Sequence, residues 1–532
     1  MKFLALIFSS LFVLLSTQLK AQLVPLNKQV QDRFNILQQQ ADSQVFTGYR
    51  AMDWLELQKA RPLQKKTMQD SVFGLEHRSA IHTPKNDLFR NNWIRAGDDH
   101  FAMNIDPYLD VGLGWSNGAN HYQPDGAVGV AMKARLANKL SFGFTAYGGI
   151  KDFPAYVEQY IAENDGILPG EFKGKIDSKG HYRYGHIDGY LSYVPDKHIA
   201  VTAGYGKIFI GDGYRSLLIS DNAASYPYLR LKASYWRLTY NVIYNRYEND
   251  YEIKGQRQPK YSVMHYLGIN IAKRLQFGFF ENTIWLGRDS NYRRGFDVNY
   301  LNPLILMRPV EFSLGSTDNA FMGFTGKYTF SKGYLYAQAG IDDLNIGATL
   351  KHHQQHLNNK YFIQLGIWNR DIFSVKDLDW RFEWNAVRPY TYGHRKIEQN
   401  YTHNHQPLTD PLGANFHEFI SIFNYSHDRW YGRLENLLAL RGENPGSPYN
   451  NGEDLWGGES GVPLYGSKTL QGTRNTYFYN KLSVGWLINP ANRFALQADI
   501  VYRQHRTPSS KESVFIFSLG IRTNLFNHYY DW

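Results

Sequence analysis

Residues 101 to 116 read FAMNIDPYLDVGLGWS. Phe101, Met103, Ile105, Pro107, Leu109, Val111, Leu113 and Trp115 are apolar, while Asn104, Asp106, Tyr108 and Asp110 between them are polar. In a strand, successive side chains leave opposite faces, so one face of this segment wants hydrocarbon and the other wants water. Ordinary soluble strands run about 5–6 residues. A run of this length suits a tilted strand crossing a bilayer core of about 30 Å. The pattern predicts an all-β fold, an antiparallel transmembrane β-barrel.

Working outward, the alternation recurs in pairs joined by tight turns. Val128, Val130, Met132, Ala134 and Leu136 alternate with Gly129, Ala131, Lys133 and Arg135, and after a turn at 137–139, Leu140, Phe142, Phe144 and Ala146 resume the pattern. Similar turns fall near 195–197, 272–274, 331–333 and 489–492. Between them lie long connections at 151–182, 207–228, 246–260, 286–320, 387–415 and 441–473. Short turns at one end and long loops at the other are the asymmetry of outer-membrane barrels, and pairing the segments gives about 18 strands, with 16 to 18 allowed. Phe515, Phe517, Leu519 and Ile521 form a closing apolar row, and Phe526, His528, Tyr530 and Trp532 read as a further alternating run that finishes on an aromatic, in the manner of a terminal insertion signal.

Residues 1–21 read as an export signal, with Lys2, an apolar stretch from Phe3 to Leu15, and Ala21 before Gln22 as a small-residue cleavage site. This predicts export to the outer membrane of a Gram-negative cell. Residues 22–98 form a different region: Leu26, Val30, Phe34, Leu37 and Ala41 follow helical spacing, and the segment is expected as a partly helical periplasmic subdomain or a plug. The barrel is expected over 99–532. There is no cysteine, which excludes disulfides, thiolate metal sites and a lipidated N-terminal cysteine. An aromatic share of 16% suits interfacial girdles. The formal charge is +10, two fewer once Lys2 and Lys20 are removed, and no dense basic tract of a nucleic-acid binder is present.

The wordiest cluster is GKIFIGDGYRSLLISDN at 206–222, which carries Lys207, Asp212, Tyr214, Arg215, Asp221 and Asn222. Its spacing is not that of a phosphate loop. Mixed charge and glycine predict a loop folded into the lumen and held by ion pairs. A second cluster, GFDVNYLNPLILMRPVEFSLGSTDNA at 295–320, carries Arg308, Glu311, Asp318 and Asn319. A third, RPYTYGH at 388–394 with NYTHNHQPLTDPLGANFHE at 400–418, carries Arg388 and Tyr390. These twelve residues are the candidate plug or ligand-contacting side chains.

Catalytic readings are weaker. His403 and His405 with Asp410, and His352, His353 and His356, are metal-ligand types without a defined spacing, and Ser216 and Ser313 lack a surrounding GxSxG. The reading is non-enzymatic, without a cofactor. Loop aromatics such as Tyr214, Tyr226, Tyr228, Tyr390, Tyr392, Tyr401, Trp456 and Tyr465 could stack on sugar rings or simply pack the loops.

The words GDGYRSLLISDN, YLNP, RPVEFS, RPYTYGH and DPLGANFHE resemble the Wzi-like capsule-assembly barrels, most closely their Bacteroidetes gliding-motility members of the RemB type. The resemblance covers about residues 100–532 and implies a barrel of about eighteen strands with a small periplasmic helical part. It also implies a role in attaching or organising surface polysaccharide or in surface motility. Expected partners are outer-membrane lipid, surface polysaccharide and surface assembly proteins, with no nucleic acid. Two alternatives stay open at this stage, a diffusion porin and a structural subunit of a secretion or motility complex, as does the oligomeric state.

Overall fold

The computed structural model describes residues 23, 26–28, 30–31, 45–50, 83–98, 100–117, 123–137, 139–253, 255–288, 293–304, 318–444, 447–523 and 525–532. Eighteen long strands close into one antiparallel barrel. The first six are β1 (Phe101–Ser116), β2 (Gln123–Leu136), β3 (Leu140–Lys151), β4 (Tyr182–Tyr193), β5 (Ile199–Gly206) and β6 (Tyr226–Tyr235). They continue with β7 (Leu238–Ile253), β8 (Gln256–Ala272), β9 (Leu275–Leu286), β10 (Asn319–Phe330), β11 (Gly333–Asp343) and β12 (Lys360–Asn369). The last are β13 (Leu378–Val387), β14 (Phe416–His427), β15 (Trp430–Glu443), β16 (Thr473–Asn489), β17 (Phe494–Arg506) and β18 (Lys511–Thr523).

The dyad pattern sets which face is which. On β1, Val111, Leu113 and Trp115 are exposed on the outer wall, while Tyr108 is buried in the lumen. β18 pairs with β1, setting Phe517 opposite Trp115 and Leu519 opposite Leu113, so the apolar belt runs unbroken across the seam. On the inner face of that seam Arg522 meets Asp110 at 3.0 Å. Closure leaves the long strands no unpaired edge, which is why so apolar a wall does not invite edge-to-edge pairing.

One end of the barrel carries the short turns, several of them on residues held at positive φ, including Ala137, Trp236 and Asp428. The other end carries the long connections. The expected loop at 246–260 is instead the tall β7–β8 hairpin, with a register shift between Glu248 and Glu252 and pairing resumed at Glu252–Arg257. Its residues are polar on both faces, so the hydrophobic alternation stops while the hydrogen-bonded ladder continues. A connection at 344–359 that the alternation did not mark carries a short helix, Ile346–His352.

The segment before β1 divides in two. Helix Pro84–Phe89, capped by Thr83, sits at the short-turn end, where Asn489 Nδ2 donates to the main-chain oxygens of Asp87 and Asn91. Residues 45–50 instead enter the lumen, where Tyr49–Arg50 pairs antiparallel with Phe209–Ile210. Of the two expectations for 22–98, these residues follow the plug and not a periplasmic subdomain, and Phe46 and Tyr49 join the buried cluster inside the barrel. Of the expected helical positions, Val30 is helical and Leu26 is not, while Phe34, Leu37 and Ala41, like the expected export signal at 1–21, lie outside the described residues. Residues 525–532 also depart from expectation. They form no strand and run up the lumen, because the seam is already complete at β18.

Candidate functional site

Three parts of the chain meet inside the barrel: the described residues within 26–31 and 45–50, the connection 207–225 and the tail 525–532. The connection is buried almost throughout. At its first knot, Asp212 accepts from Thr47 Oγ1 at 2.7 Å and from Lys327 Nζ at 3.1 Å, with Arg50 Nη2 at 3.5 Å. Burial alone would raise the Asp212 pKa, but the Lys327 and Arg50 cations override it and hold the carboxyl below its ordinary value. The next turn requires glycine. A Cβ on Gly213 would lie 2.5 Å from Glu383 Oε2, whose carboxylate accepts the backbone N–H groups of Tyr214 and Arg215 at 2.7 and 3.0 Å.

Arg215 forms the second knot. Its guanidinium reaches Glu418 at 3.2 Å, Asp531 at 3.0 Å and Asp410 at 3.5 Å, all buried. Burial opposes the charge on Arg215, and the three acids more than restore it. One cation cannot balance three carboxylates, and burial pushes Asp410 above its ordinary value despite the cation beside it. Tyr214 OH donates to the other oxygen of Asp531 at 2.8 Å, fastening the tail twice.

Asp221 forms the third knot. It accepts from Asn527 Nδ2 and Tyr529 OH, both at 2.7 Å. Asn527 in turn accepts from Lys28 N and donates to Leu26 O, so a single asparagine ties all three segments. Lys28 lies over the Phe209 ring at 3.6 Å, and burial lowers its pKa to about 7. Above this level the tail packs under helix Ala155–Glu163 of the connection 152–181. Tyr156 OH donates to Tyr530 O, and Arg503 Nε donates to the main-chain oxygen of Trp532. Lys207 Nζ donates to Gly170 O, and Asn222 Nδ2 donates to Pro407 O, joining further connections to the plug.

The remaining candidates lie at the long-loop end. Asp318 takes Arg294 on both oxygens at 2.8 Å and accepts from Tyr300 OH at 2.7 Å, while Asn319 donates to Gln399 O. Arg388 donates to Asn359 O and Ser467 O, and Tyr390, at φ +66°, donates its hydroxyl to Asn450 O. Arg308, Glu311 and Ser313 lie outside the described residues. Asp318 and Asn319 border an open cleft of about 830 Å³ whose wall also includes Asp343, Lys360, His394, Arg395 and Glu459. Lys360 Nζ pairs with Glu459 at 2.6 Å and donates to Gly393 O, whereas Arg395 is exposed.

Several side chains weighed for chemistry serve packing. His403 is buried, accepts from Glu248 N at 2.9 Å, and burial lowers its pKa to about 3, which keeps the ring neutral. Ser216 Oγ donates to Ile210 O within its own loop. Tyr214, Tyr226, Tyr390, Tyr392 and Tyr401 are buried, which closes their faces to a sugar ring. Tyr465, whose ring lies tilted 4.1 Å from that of His352 beside the cleft, is less enclosed.

The acids and bases that hold the plug, Lys327, Glu383, Glu418 and Asp531, were absent from the sequence-derived candidates. Lumen parity on β10, β13 and β14 marks the first three. Asp531 was hidden because its segment read as strand.

A closed eighteen-strand barrel with an apolar outer belt and a lumen filled by its own chain has the architecture of outer-membrane β-barrel proteins. No family model and no curated protein matches the sequence. Among solved structures the fold is similar to Wzi, an Escherichia coli outer-membrane protein involved in group 1 capsule assembly and described as a carbohydrate-binding β-barrel. That alignment has a TM-score of 0.57 at 12% identity and covers 94% of this chain and 99% of Wzi. Pseudomonas aeruginosa OccK8 (OprE) aligns with a TM-score of 0.41 at 8% identity, over 78% of this chain and 97% of OccK8. OprD from the same organism gives 0.41 at 8%, over 79% and 94%.

Proposed function

We propose that this protein is a non-enzymatic outer-membrane barrel that holds surface polysaccharide at its long-loop end, with the short-turn end in the periplasm. The observation that carries the reading is the plug. The described residues within 26–31 and 45–50, with 207–225 and 525–532, converge on Asp212, Arg215 and Asp221 and fill the lumen with buried, ion-paired and hydrogen-bonded groups. A porin needs a hydrated path between its two ends. A filled lumen leaves the outer surface as the place where function is exerted, and the 830 Å³ cleft there offers carboxylates, a guanidinium and a neighbouring aromatic ring to hydroxyl-rich ligands. The carbohydrate binding stated for Wzi, whose fold this chain shares, agrees with that reading.

A role in gliding motility belongs to the same proposal as a consequence of organising surface glycan. A deletion strain tests the alternatives together. The expected result is loss of retained surface polysaccharide, with spreading altered as a consequence and uptake of small solutes unchanged. Unchanged polysaccharide with reduced solute uptake would overturn the proposal in favour of a porin.

A further inference from the structure

Residues 293–304, the described part of the connection after β9, neither stand outward from the barrel end nor enter the lumen. On β7, β8 and β9 the residues Leu238, Ile269 and Phe277 share one outward row, so Tyr240, Tyr244, His265, Glu281, Thr283 and Trp285 also point away from the lumen. Yet His265, Glu281, Thr283 and Trp285 are almost completely buried, on a wall whose neighbours Leu229, Leu231 and Phe324 are exposed. Polar groups on the lipid face are costly and are kept only where something covers them.

The cover is the chain itself. Arg294 is pinned at the top by Asp297 and Asp318 at 2.7 and 2.8 Å. Below it, Trp285 Nε1 donates to Gly295 O at 3.1 Å and the Tyr300 ring stacks on Trp285 at 4.6 Å. Tyr244 OH then donates to Leu301 O at 3.3 Å, and Tyr240 OH to Pro303 O at 2.6 Å. Tyr240 is the third residue of β7, so this segment descends most of the height of the wall.

Irregular backbone at membrane depth is tolerated only where its polar groups are satisfied within the protein. Here the wall tyrosines and Trp285 supply donors to the carbonyls. On the strand-free side, Asn299 N donates to Asp297 Oδ1, Tyr300 N to Asp297 O and Leu304 N to Asn302 Oδ1. Along 294–304 the exposed side chains are Phe296, Val298, Leu301, Pro303 and Leu304, with Val298, Leu301 and Leu304 exposed by 70, 50 and 69%, and one amide, Asn299, whose Nδ2 donates to Asp297 Oδ1 at 2.9 Å.

We propose that residues 294–304 are an intramembrane strap whose outer face meets lipid acyl chains and whose inner face hides the polar track of Tyr240, His265 and Glu281. The strap continues the apolar belt formed by Leu231 and Phe324 on either side, and this continuity selects hydrocarbon as its occupant. The inference stands independently of the glycan reading.

The absence of cysteine makes the test clean. Single variants Leu301→Cys and Leu304→Cys carry a nitroxide in the full-length protein reconstituted into phospholipid bilayers, with Leu519→Cys as belt control and Arg395→Cys as outer-end control. Electron paramagnetic resonance power saturation is read with oxygen and with a water-soluble nickel chelate. The expected result is oxygen-dominated relaxation at 301 and 304, matching 519 and opposite to 395. Nickel access matching 395, or exclusion of both reagents, overturns the proposal. Tyr240→Phe with Tyr244→Phe, which removes both donors, should raise nickel access at 304 while the barrel stays heat-modifiable. Unchanged access in that variant would show that the wall tyrosines do not hold the strap.

Discussion

Arg215 Nη2 lies 3.0 Å from Asp531 Oδ1, joining residues 316 positions apart in the chain across the centre of the lumen. Both side chains are buried, and removing Arg215 strands Asp531, Glu418 and Asp410 without their cation, at a cost of about 3–5 kcal/mol. Arg215→Ala is therefore expected to lower the stability of the plug by this order and Asp531→Asn by less, since Glu418 and Asp410 still face the cation; both should release the tail, read as protease access to residues 525–532 with the barrel still heat-modifiable. Asp410→Asn should be milder, because Asp410 makes the longest of the three contacts to Arg215, at 3.5 Å, and burial already raises its pKa. Equal losses from Asp410→Asn and Asp531→Asn would contradict this division of roles.

Acid is the second lever. Burial raises and the neighbouring cations lower the pKa of Asp212 and Asp221, and in both the net direction is down from 3.8. A carboxylate depressed on folding binds fewer protons than in the unfolded chain, so its stabilisation is complete above the unfolded value and is lost as pH falls through the folded one. The plug should thus stay protease-resistant at pH 5 and above, and loosen only below about pH 4, the ordinary Asp range. Release beginning near pH 6 would exclude these two aspartates as its ties.

Much of the barrel was legible because the bilayer imposes a dyad that β1 and β18 follow without interruption. The turns at 137–139, 272–274 and 331–333 were legible for the same reason. Trp236 and Asp428 turn the chain at positive φ without a glycine or proline signal, so those hairpins were not marked. The alternation of Phe526, His528, Tyr530 and Trp532 looked like strand but serves a lumen in which aromatic and polar partners are reached from several sides. The candidate loop at 207–222 was legible from its mixed charge, whereas its partners Thr47, Lys327 and Glu383 are set by barrel closure, which no local pattern reports. The strap after β9 was invisible for a related reason: its LNPL word is apolar in the same way whether it faces lumen or lipid.

The belt itself can be challenged. Leu519 is 48% exposed, opposite Leu113 on β1 and Ala498 on β17. Leu519→Arg places a cation against hydrocarbon, a cost of roughly 2–4 kcal/mol near mid-depth. The variant should show a lower folded fraction in heat-modifiability gels. Wild-type assembly would contradict the facing assignment.

At the cleft, Arg395 is the exposed cation among otherwise paired walls. Arg395→Glu should reduce retention of surface polysaccharide several-fold in whole cells while leaving protease resistance of the plug unchanged. Intact retention would move the glycan contact away from this cleft.

Single-channel recording in planar bilayers addresses the sealed lumen most directly. The wild-type protein is expected to give no large, stable conductance steps, and the Asp531→Asn variant to give them. Large, stable steps from the wild-type protein at neutral pH would contradict the account.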